Sequence, residues 1–330
     1  MDTVAVVLAG GRGTRLYPAS SPETPKQFRA IAGERSLLER TVARAERFAD
    51  AVVVLTRPVY ADRVRDLVDA EVVVEPEPKD TGPALVYAAH RLRDRAGTLV
   101  CLPSDHHVGD DALFAAAADR AAETARETGG LVTMGVDPTR PATGYGYLEP
   151  GEAVSEGVHR VESFVEKPDA ETAARYRNRG YRWNAGIFAW TPEALLSACE
   201  GTILEPLVDA LGAGDSEPFA ACEAVSIDYG VMEAADDVYL VAVDFAWDDL
   251  GTWDALARVL DADGSGTVVD GNALSLDAEG CVLATDESSH VAAVGVSDLV
   301  VAAHDGRVLV VPKRESQRVR EVWDAVYGDE

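Results

Sequence analysis

Residues 1–28 read MDTVAVVLAGGRGTRLYPASSPETPKQF, and an aliphatic run in them is followed at once by a glycine-rich loop. Val4–Leu8 is continuously β-branched or aliphatic, which predicts a strand covered on both faces. Open α/β sheets bind ligands at the carboxyl ends of such strands. The stretch therefore predicts an α/β fold with a ligand site at the first loop, although a tight turn with surface arginines would give the same pattern.

Two common glycine motifs do not match this loop. A P-loop needs G-x-x-x-x-G-K followed by Ser or Thr, and no lysine occurs before Lys26. A dinucleotide fingerprint needs a third glycine where Leu16 stands, and Pro18 and Pro22 prevent a helix directly after the turn. What remains is a glycine turn whose backbone N–H groups can approach a phosphate or a base, followed by the cation Lys26.

The first 135 residues alternate between β-rich and helix-like stretches, as βαβ units do. The expected strands are 4–8, 51–55, 71–74, 99–102 and 131–136, and the expected helices are 37–48, 60–68, 83–95 and 112–127. After residue 140 the pattern loosens, which predicts a second lobe inserted between elements of one sheet. We expect an α/β protein with a Rossmann-like, mixed but mostly parallel sheet flanked by helices.

Beyond residue 262 the composition changes to short valine-rich runs broken by glycine and aspartate, as in TVVDGNALSLDAEGCVLA. These runs predict a small β module, closed by an amphipathic helix over 315–326. A fixed hexapeptide period is not convincing, so a β-helix is only one of the alternatives. We therefore expect a large domain over 1–262 and a small β-rich C-terminal domain with a terminal helix over 263–330.

The charge balance limits the choice of partners. Aspartate and glutamate outnumber lysine and arginine by 57 to 30, and the formal net charge of -27 would repel nucleic acid and anionic membranes. Only four lysines occur. This acid-rich, lysine-poor balance indicates a halophilic protein of a high-salt cytoplasm, with an ordinary acidic protein as the simpler alternative.

The cysteines and the N-terminus give the expected compartment. Cys101, Cys199, Cys222 and Cys281 are scattered without a C-x-x-C pair, as in reduced core residues. Val4–Gly11 is too short for a membrane span, and Asp2 stands where a signal peptide would carry positive charge. We expect a cytoplasmic protein without a secretory or transmembrane segment.

Two distant aspartates are candidate metal ligands. Asp105 follows the apolar run 99–102 in LPSDH, and Asp249 lies in an aromatic-flanked turn in DFAWDDLGTW. A carboxylate is costly to bury at such a position unless it has a partner, and a divalent cation such as magnesium would supply one. Helix capping is the alternative for each aspartate. The adjacent His106 and His107 lack the other ligands of a zinc site and are interpreted as loop residues.

Three further motifs have both a binding and a structural interpretation. EPEPKDTGPA, residues 75–84, joins a proline-rich turn to the start of a helix. The free N–H groups of the helix start could bind an anion, or Asp80 or Thr81 could cap the helix without any ligand. FVEKP, residues 164–168, sets Glu166 beside Lys167 at a strand end. WNAGIF, residues 183–188, combines an aromatic ring, an amide and a glycine, which suit a sugar but also occur in plain packing.

The ordered set of motifs is more specific than any member. Residues 1–260 resemble the sugar-nucleotide pyrophosphorylases, most closely their mannose branch. The motifs that carry this resemblance are, in order, LAGGRGTRLYP, PKQF, EPEPKDTGPA, LPSDH, GYGYLE, FVEKPD, WNAGIFAW, SIDYGVME and WDDLGTW. The resemblance implies a nucleotidyltransferase, GT-A-like fold and a reaction of GTP with mannose 1-phosphate that gives GDP-mannose and pyrophosphate. The alternatives are glucose 1-phosphate with UTP, dTTP or ATP, and a non-catalytic subunit that senses nucleotide sugars.

The same resemblance implies roles for individual residues. Where the family commonly has serine in W-S-D, this chain has Asp248, so it stays open which of the two adjacent aspartates binds metal. The implied partners are GTP and mannose 1-phosphate, without nucleic acid or membrane, and a homodimer through the C-terminal module is left open. The implied catalytic residues are Arg15, Lys26, Asp105 and Asp249, with Mg²⁺ held by the two aspartates. The implied nucleotide contacts are Leu8, Ala9, Gly10, Gly11, Gly13, Thr14, Lys79, Asp80, Thr81, Pro83 and Ser104. The implied sugar-phosphate contacts are Tyr145, Gly146, Glu166, Lys167, Asn184 and Gly186.

Overall fold

The computed structural model describes residues 2–215 and 217–328, and these residues form two compact units. The first unit contains the chain up to Gly10 together with Val42–Pro103 and Val108–Trp247. The second contains Gly11–Thr41, Ser104–His107 and the chain from Asp248 onward. These units are defined by compactness, and the domain boundary expected between residues 262 and 263 stays a prediction.

The helices follow the expected positions, with ends that shift by a few residues. The expected helices 37–48 and 83–95 end earlier than expected, at Ala45 and Leu92. The expected helix over 315–326 begins as the 3₁₀ turn Lys313–Arg318, and only its second part is α-helical. Helices α1–α9 span Leu37–Ala45, Ala61–Leu67, Thr81–Leu92, Asp111–Thr128, Ala170–Asn178, Pro192–Ala198, Glu205–Ala213, Leu256–Val259 and Val319–Tyr327.

A nine-stranded sheet forms the centre of the first unit, in the order β3-β2-β1-β4-β8-β5-β9-β7-β6. β3, β2, β1 and β4 pair in parallel, as the βαβ pattern predicts, and β5 and β9 are also parallel. The remaining pairs are antiparallel, so the sheet is mixed. The strands β1–β9 are Thr3–Leu8, Ala51–Thr56, Glu71–Val74, Thr98–Pro103, Leu131–Val136, Tyr147–Ser155, Val158–Val165, Arg182–Trp190 and Val238–Val243.

The expectation of a separate inserted lobe after residue 140 is corrected by this topology. β6, β7 and β8 continue the same sheet, and β8 pairs with both β4 and β5. The pattern loosens because the outer strand β6 is buried only at its start and exposed toward Ser155, which removes the continuous apolar run of a central strand.

The core of the first unit lies between the sheet and α3, α6 and α7 on one of its faces. Val6 and Leu99 of the parallel strands are fully buried there, together with Leu85 of α3 and Leu195 of α6. The parallel strands are held by this burial, so their carboxyl ends, where Ala9, Arg57 and Glu75 follow β1, β2 and β3, share one edge of a fixed sheet.

The C-terminal part of the second unit consists of two small sheets. β10, β12 and β14 pair in parallel with β15 antiparallel at the edge, and β11 pairs in parallel with β13. The chain thus alternates between two sheets as a short β-helix does. Val268 pairs with Val282 and Val282 with Val300, so successive turns take 14 and 18 residues, and no fixed period appears in the sequence. The strands β10–β15 are Val268–Asp270, Ala273–Leu276, Val282–Thr285, Val291–Val294, Leu299–His304 and Arg307–Pro312.

None of the helices within residues 2–215 and 217–328 combines the length and the apolar character that a membrane crossing requires.

Candidate active site

Three of the expected catalytic residues lie together in the second unit. Lys26 is only 8% exposed, and its Nζ lies 3.0 Å from Oδ2 of Asp105 and donates to the backbone oxygen of Asp249 at 3.0 Å. Asp105 follows β4 by two residues, and Asp249 belongs to a tight turn much later in the chain. The fold therefore brings the carboxylate of Asp105 and the backbone oxygen of Asp249 to one ammonium group, and we call Lys26, Asp105 and Asp249 the lysine–aspartate cluster.

The neighbouring Asp248 forms an ion pair with an arginine instead of contacting Lys26. Its side chain is 4% exposed and is held at both oxygens by Arg258, through Nε at 2.6 Å and Nη2 at 3.1 Å. It also accepts a bond from the backbone N–H of Leu250, which has a left-handed φ of 45°. Because Arg258 already neutralises Asp248, the arrangement favours Asp249 over Asp248 as the metal ligand. The sequence motifs did not single out Arg258.

The donor set of the lysine–aspartate cluster fits a magnesium ion. Carboxylate oxygens are the ligands that Mg²⁺ prefers. The carboxylate of Asp105 pairs with the ammonium of Lys26, and the charges of Asp105 and Asp249 both act on the ring of His106, so the two carboxylates lie in one neighbourhood. Among residues 2–215 and 217–328, no group of three or more histidine, cysteine or acidic side chains is arranged to hold a metal. Two carboxylates would leave coordination positions for phosphate oxygens and water, as is usual for this ion.

His106 lies in the same electrostatic environment. Burial lowers the pKa of its imidazole, while the charges of Asp105 and Asp249 act in the opposite direction. Both carboxylates are therefore close enough to influence one buried ring. Burial is the larger influence, so the pKa of His106 lies below its usual value.

The glycine loop of the second unit packs directly against Lys26. Gly13 has a left-handed φ of 65°, and a Cβ at this position would lie 2.7 Å from Cγ of Lys26. A glycine is therefore required both by the backbone and by the lysine stem. Gln27 donates to the oxygen of Gly11 at 3.0 Å and holds the loop.

The other expected residues of this unit make different contacts. Arg15, in the 3₁₀ turn that begins at Thr14, donates through Nη1 to Gln317 Oε1 at 2.9 Å on an exposed surface. The buried Ser104 accepts a bond from Thr41 through its backbone oxygen. The structure thus gathers Lys26, Asp105 and Asp249, and it places the guanidinium of Arg15 on Gln317; the roles of Arg15, Thr14 and Ser104 stay predictions.

In the first unit, the end of β1 is pinned to β2. Ala9 donates to Leu55 O at 2.8 Å and accepts from Thr56 Oγ1 at 2.9 Å, directly after Leu8. Gly10 follows, and a Cβ there would lie 3.0 Å from Oε1 of Glu75. Glu75 is 5% exposed, and burial raises the pKa of its carboxyl to about 7 against the influence of Arg57. The sequence motifs included Glu75 in EPEPKDTGPA without assigning it a role.

The start of α3 has clear structural contacts. Lys79 donates through Nζ to the backbone oxygens of Phe219 and Cys222, the latter at 2.8 Å. Asp80 caps the helix by accepting from the backbone N–H of Thr81, and Thr81 Oγ1 accepts from Ile227 N. Pro83 is buried in the first turn. The capping interpretation of this motif is therefore observed, and nucleotide contacts of these four residues stay predictions.

The expected sugar-phosphate residues of the first unit surround Asn184. Its Oδ1 accepts from Thr133 Oγ1 at 2.8 Å and from Gly186 N at 3.1 Å, and its Nδ2 donates to Asp228 Oδ1 at 2.7 Å. Its backbone N–H donates to the oxygen of Gly146 at 2.9 Å. The amide is therefore fixed in one orientation, with a second N–H of Nδ2 left to donate to a ligand.

Glu166 and Lys167 form an ion pair beside Gly146. Lys167 Nζ lies 2.5 Å from Oε1 of Glu166, whose side chain is 7% exposed. A Cβ at Gly146 would clash with Oε2 of Glu166, so any larger residue there would displace this carboxylate from its present position. Asp228, which the sequence motifs did not single out, is half-buried near Glu166. Desolvation and the charge of Glu166 raise the pKa of its carboxyl to about 6.

An aromatic cluster adjoins these residues. The ring of Tyr145 meets Trp183 and Trp247 edge to face, with centroid distances of 5.0 and 5.1 Å. Arg140 lies over both Tyr145 and Trp183 and donates to the hydroxyl of Tyr145 at 3.2 Å. Tyr145 is thereby held in one orientation, and its contact with a sugar stays a prediction.

The family comparisons agree with this architecture. Residues 4–265 match the model of the nucleotidyl transferase family, and residues 271–325 match a domain described as a MannoseP isomerase/GMP-like beta-helix domain. A solved structure of UDP-glucose pyrophosphorylase shares the fold. It is 14% identical in sequence and superposes with a TM-score of 0.56 over 78% of this chain and 97% of that chain.

Similar proteins extend the match over nearly the whole chain. Mannose-1-phosphate guanylyltransferase of Salmonella montevideo is 33% identical over 97% of this chain and 73% of its own length. The protein of that name from Escherichia coli is 35% identical over 96% and 72%. A solved structure from Thermus thermophilus, described as a mannose-1-phosphate geranyltransferase, is 38% identical with a TM-score of 0.93 over 99% of both chains. The chain therefore belongs to the nucleotidyl transferase family, in the group with relatives named mannose-1-phosphate guanylyltransferase.

Proposed function

We propose that this nucleotidyltransferase transfers GMP from GTP to mannose 1-phosphate and releases pyrophosphate, giving GDP-mannose. A phosphate oxygen of the sugar phosphate attacks the α-phosphorus of GTP in line, and the bond to the leaving pyrophosphate breaks. The names of the relatives support the choice of substrates. The observation that carries the chemistry is the lysine–aspartate cluster, in which one buried ammonium contacts the carboxylate of Asp105 and the backbone oxygen of Asp249.

The central problem of this reaction is the meeting of two polyanions. Mg²⁺, held by Asp105 and Asp249, would neutralise charge on the reacting phosphates. Lys26 contributes a fixed positive charge that is already desolvated, so it needs no reorganisation when a phosphate arrives. We assign the attacking phosphate to Lys26 and the leaving pyrophosphate to Arg15, whose bond to the exposed Gln317 is easily exchanged for a phosphate.

The sugar end is bound by donors and acceptors of fixed orientation. Asn184 offers an N–H to a sugar oxygen because its carbonyl side is used by Thr133 and Gly186. Lys167 and Glu166 offer a cation for the phosphate and an acceptor for a hydroxyl. Asp228 acts through Asn184 by holding the amide in place.

A substrate screen tests the proposal. Pyrophosphate release is measured with GTP, ATP, UTP and dTTP, each with mannose 1-phosphate and with glucose 1-phosphate. We expect the highest kcat/KM for GTP with mannose 1-phosphate. A higher value for UTP or dTTP with glucose 1-phosphate would show a different sugar nucleotide, and no release with any pair would favour a sensing subunit.

We propose that the protein works in the cytoplasm at high salt, because its net charge of -27 produces strong self-repulsion. Raising KCl from about 0.1 M to 1 M shortens the Debye length from about 10 Å to 3 Å. The melting temperature should therefore rise with KCl. Sodium bromide at equal ionic strength should act similarly, since screening does not depend on the anion, and a flat or falling curve in both salts would contradict a halophilic protein.

We propose further that two copies associate through the C-terminal module. Leu274, Leu276 and Val294 are 48%, 50% and 61% exposed, and the register of β11 and β13 places Leu276 opposite Val294. An apolar patch on so acidic a chain is typical of an interface. Leu276→Asp should convert a dimer into a monomer in sedimentation, whereas Val59→Asp, at an exposed valine of the first unit, should not. A monomeric wild type at tens of micromolar would refute the interface.

A further inference from the structure

A cavity of about 930 Å³ lies in the second unit, between the loop that follows Lys26 and the C-terminal β module. Asp270, Thr285 and His304 are the last residues of β10, β12 and β14, which are adjacent and parallel, so the three residues lie along one wall. The loop 28–34 forms the opposite wall. Small-molecule sites have volumes of roughly 300–1,000 Å³, so the cavity is large enough for a small organic ligand.

Side-chain contacts join the two walls. The backbone N–H of Ala32 donates to Oδ2 of Asp270 at 3.0 Å, and Arg29 forms an ion pair with Asp305, which directly follows β14. Arg40 of α1 donates to the backbone oxygen of Ala32 at 2.8 Å and holds the loop in place. The cavity is therefore preformed, as ligand sites usually are.

Two polar nitrogen atoms at this cavity are buried without hydrogen-bond partners. Nε2 of His304 and Nε of Arg29 find no partner anywhere in the part of the chain that the structure describes. His304 is only 7% exposed, and burial lowers the pKa of its imidazole to about 4, so the ring is neutral near pH 7. A buried polar group without a partner costs free energy, so two of them at one cavity indicate that a ligand supplies the partners.

The charges around the cavity limit the chemistry of this ligand. The lining carboxylates are those of Glu34, Asp270, Asp286 and Glu287. They would repel an anion or the carboxylate of an amino acid, because the one lining arginine, Arg29, is already neutralised by Asp305. An organic cation has no acceptor for the N–H of Arg29. Among the described residues, no three histidine, cysteine or acidic side chains are arranged to hold a metal. The ligand is therefore neutral and polar.

Hydroxyl groups meet all of these requirements. A hydroxyl accepts from Nε–H of Arg29 and donates to a carboxylate, and it pairs with either tautomer of His304 because it is both a donor and an acceptor. Phe28 and Asn272 also line the cavity, and an aromatic ring and an amide suit the apolar face and the hydroxyls of a sugar. The lining thus favours a sugar without phosphate.

The wall of the cavity continues into the turn that carries Lys26. Phe28 donates through its backbone N–H to Pro25 O at 3.1 Å, and Arg29 donates to Lys26 O at 3.0 Å. A ligand that holds Phe28 and Arg29 in place also opposes the opening of this turn. We propose that the cavity is a second ligand site, which binds a neutral sugar and stabilises the turn of Lys26.

Binding of neutral sugars to the full chain tests the proposal. Calorimetry with D-mannose, D-glucose and trehalose should show saturable binding of at least one of them, whereas a sugar that is merely excluded from the surface stabilises a protein without saturation. At ten times the Kd, backbone amide exchange in a peptide that contains Phe28 and Arg29 should slow about tenfold, since opening of the turn would require release of the sugar.

Two variants of the cavity and two controls locate the bound sugar. His304→Phe keeps a ring beside Trp253 but removes the unpartnered nitrogen, so sugar binding should weaken about tenfold or more while the free protein melts no lower than the wild type. Asn272→Ala changes an exposed residue, leaves the buried ring in place and should also weaken binding. His90→Phe, in α3 of the first unit, and Asn184→Ala, at the proposed sugar-phosphate site, should both keep it.

Several results would overturn the inference. Binding that is lost in Asn184→Ala but kept in His304→Phe and Asn272→Ala would place the sugar at the proposed sugar-phosphate site. The inference is also wrong if none of the three sugars binds saturably, if inorganic phosphate or L-alanine binds in their place, or if a bound sugar leaves amide exchange in the turn of Lys26 unchanged. Pyrophosphate release in the substrate screen tests the proposed function separately.

Discussion

Replacing Asp105 or Asp249 by asparagine should lower kcat by about a hundredfold or more while the protein still folds. Each variant keeps the shape of the side chain but removes one charge from a site for a hard cation, and loss of one preorganised electrostatic contact has this order of effect. Lys26 contacts the carboxylate of Asp105 and the backbone oxygen of Asp249, and both aspartates are assigned to one ion. The double variant should therefore be little worse than the worse single variant, as expected for groups that act as a unit.

Two matched variants control this experiment. Asp261→Asn removes one charge from an exposed position of the same unit and should leave kcat unchanged. Asp248→Asn should cost less in kcat than Asp249→Asn, but it should lower the melting temperature because Arg258 loses a buried partner. The melting temperature of each variant is measured at increasing Mg²⁺ concentrations, which reports Mg²⁺ binding independently of turnover. If Asp248→Asn is the more damaging change in kcat, the ligand assignment is wrong, and near-normal magnesium-dependent turnover of both single variants would exclude a shared ion.

The strands of the central sheet are predictable from the sequence where apolar residues follow one another almost without interruption. Val4–Leu8 is a continuous apolar run, Leu131–Val136 is apolar apart from Thr133 and Gly135, and both form strands of the central sheet that are mostly buried. The sequence does not place β6 and β7 in that sheet, because burial falls along β6 from its start to its end, β7 is mostly half-buried, and their pairing contains register shifts. The sequence leaves the β-helix as one of several alternatives because its turns differ in length, so the parallel pairing produces no fixed repeat.

The candidate site shows a similar division. Asp105 was recognisable because a charged residue directly after an apolar strand needs a partner. That this partner includes Lys26 depends on a contact between residues far apart in the chain, which no local pattern encodes. Glu75 and Asp228 were missed for the same reason, since their significance comes from burial beside Gly10 and Asn184. Lys79 shows the reverse case, because a lysine in a binding motif turned out to hold two backbone carbonyls.

Replacing Lys26 by methionine should lower kcat by about a hundredfold and should also destabilise the protein when no divalent metal is present. The stem of Lys26 is packed against Gly13, and methionine preserves much of this apolar contact, so the change mainly removes the charge. Without the ammonium, Asp105 loses its nearby cation. Breaking a buried ion pair costs about 3–5 kcal/mol, and a smaller value is expected here because the side chain of Asp105 is 21% exposed.

The response to magnesium distinguishes a catalytic lysine from a merely structural one. If Mg²⁺ binds Asp105 and Asp249, the ion replaces the missing charge, and it should raise the melting temperature of Lys26→Met more than that of the wild type. Turnover should stay low, because the positive charge assigned to the attacking phosphate is still absent. Lys313→Met removes a lysine from the same unit and should change neither quantity. If Mg²⁺ restores both the turnover and the melting temperature of Lys26→Met, Lys26 only neutralises Asp105. If Mg²⁺ raises the melting temperature of Lys26→Met and of the wild type equally, Lys26 is not part of the metal site.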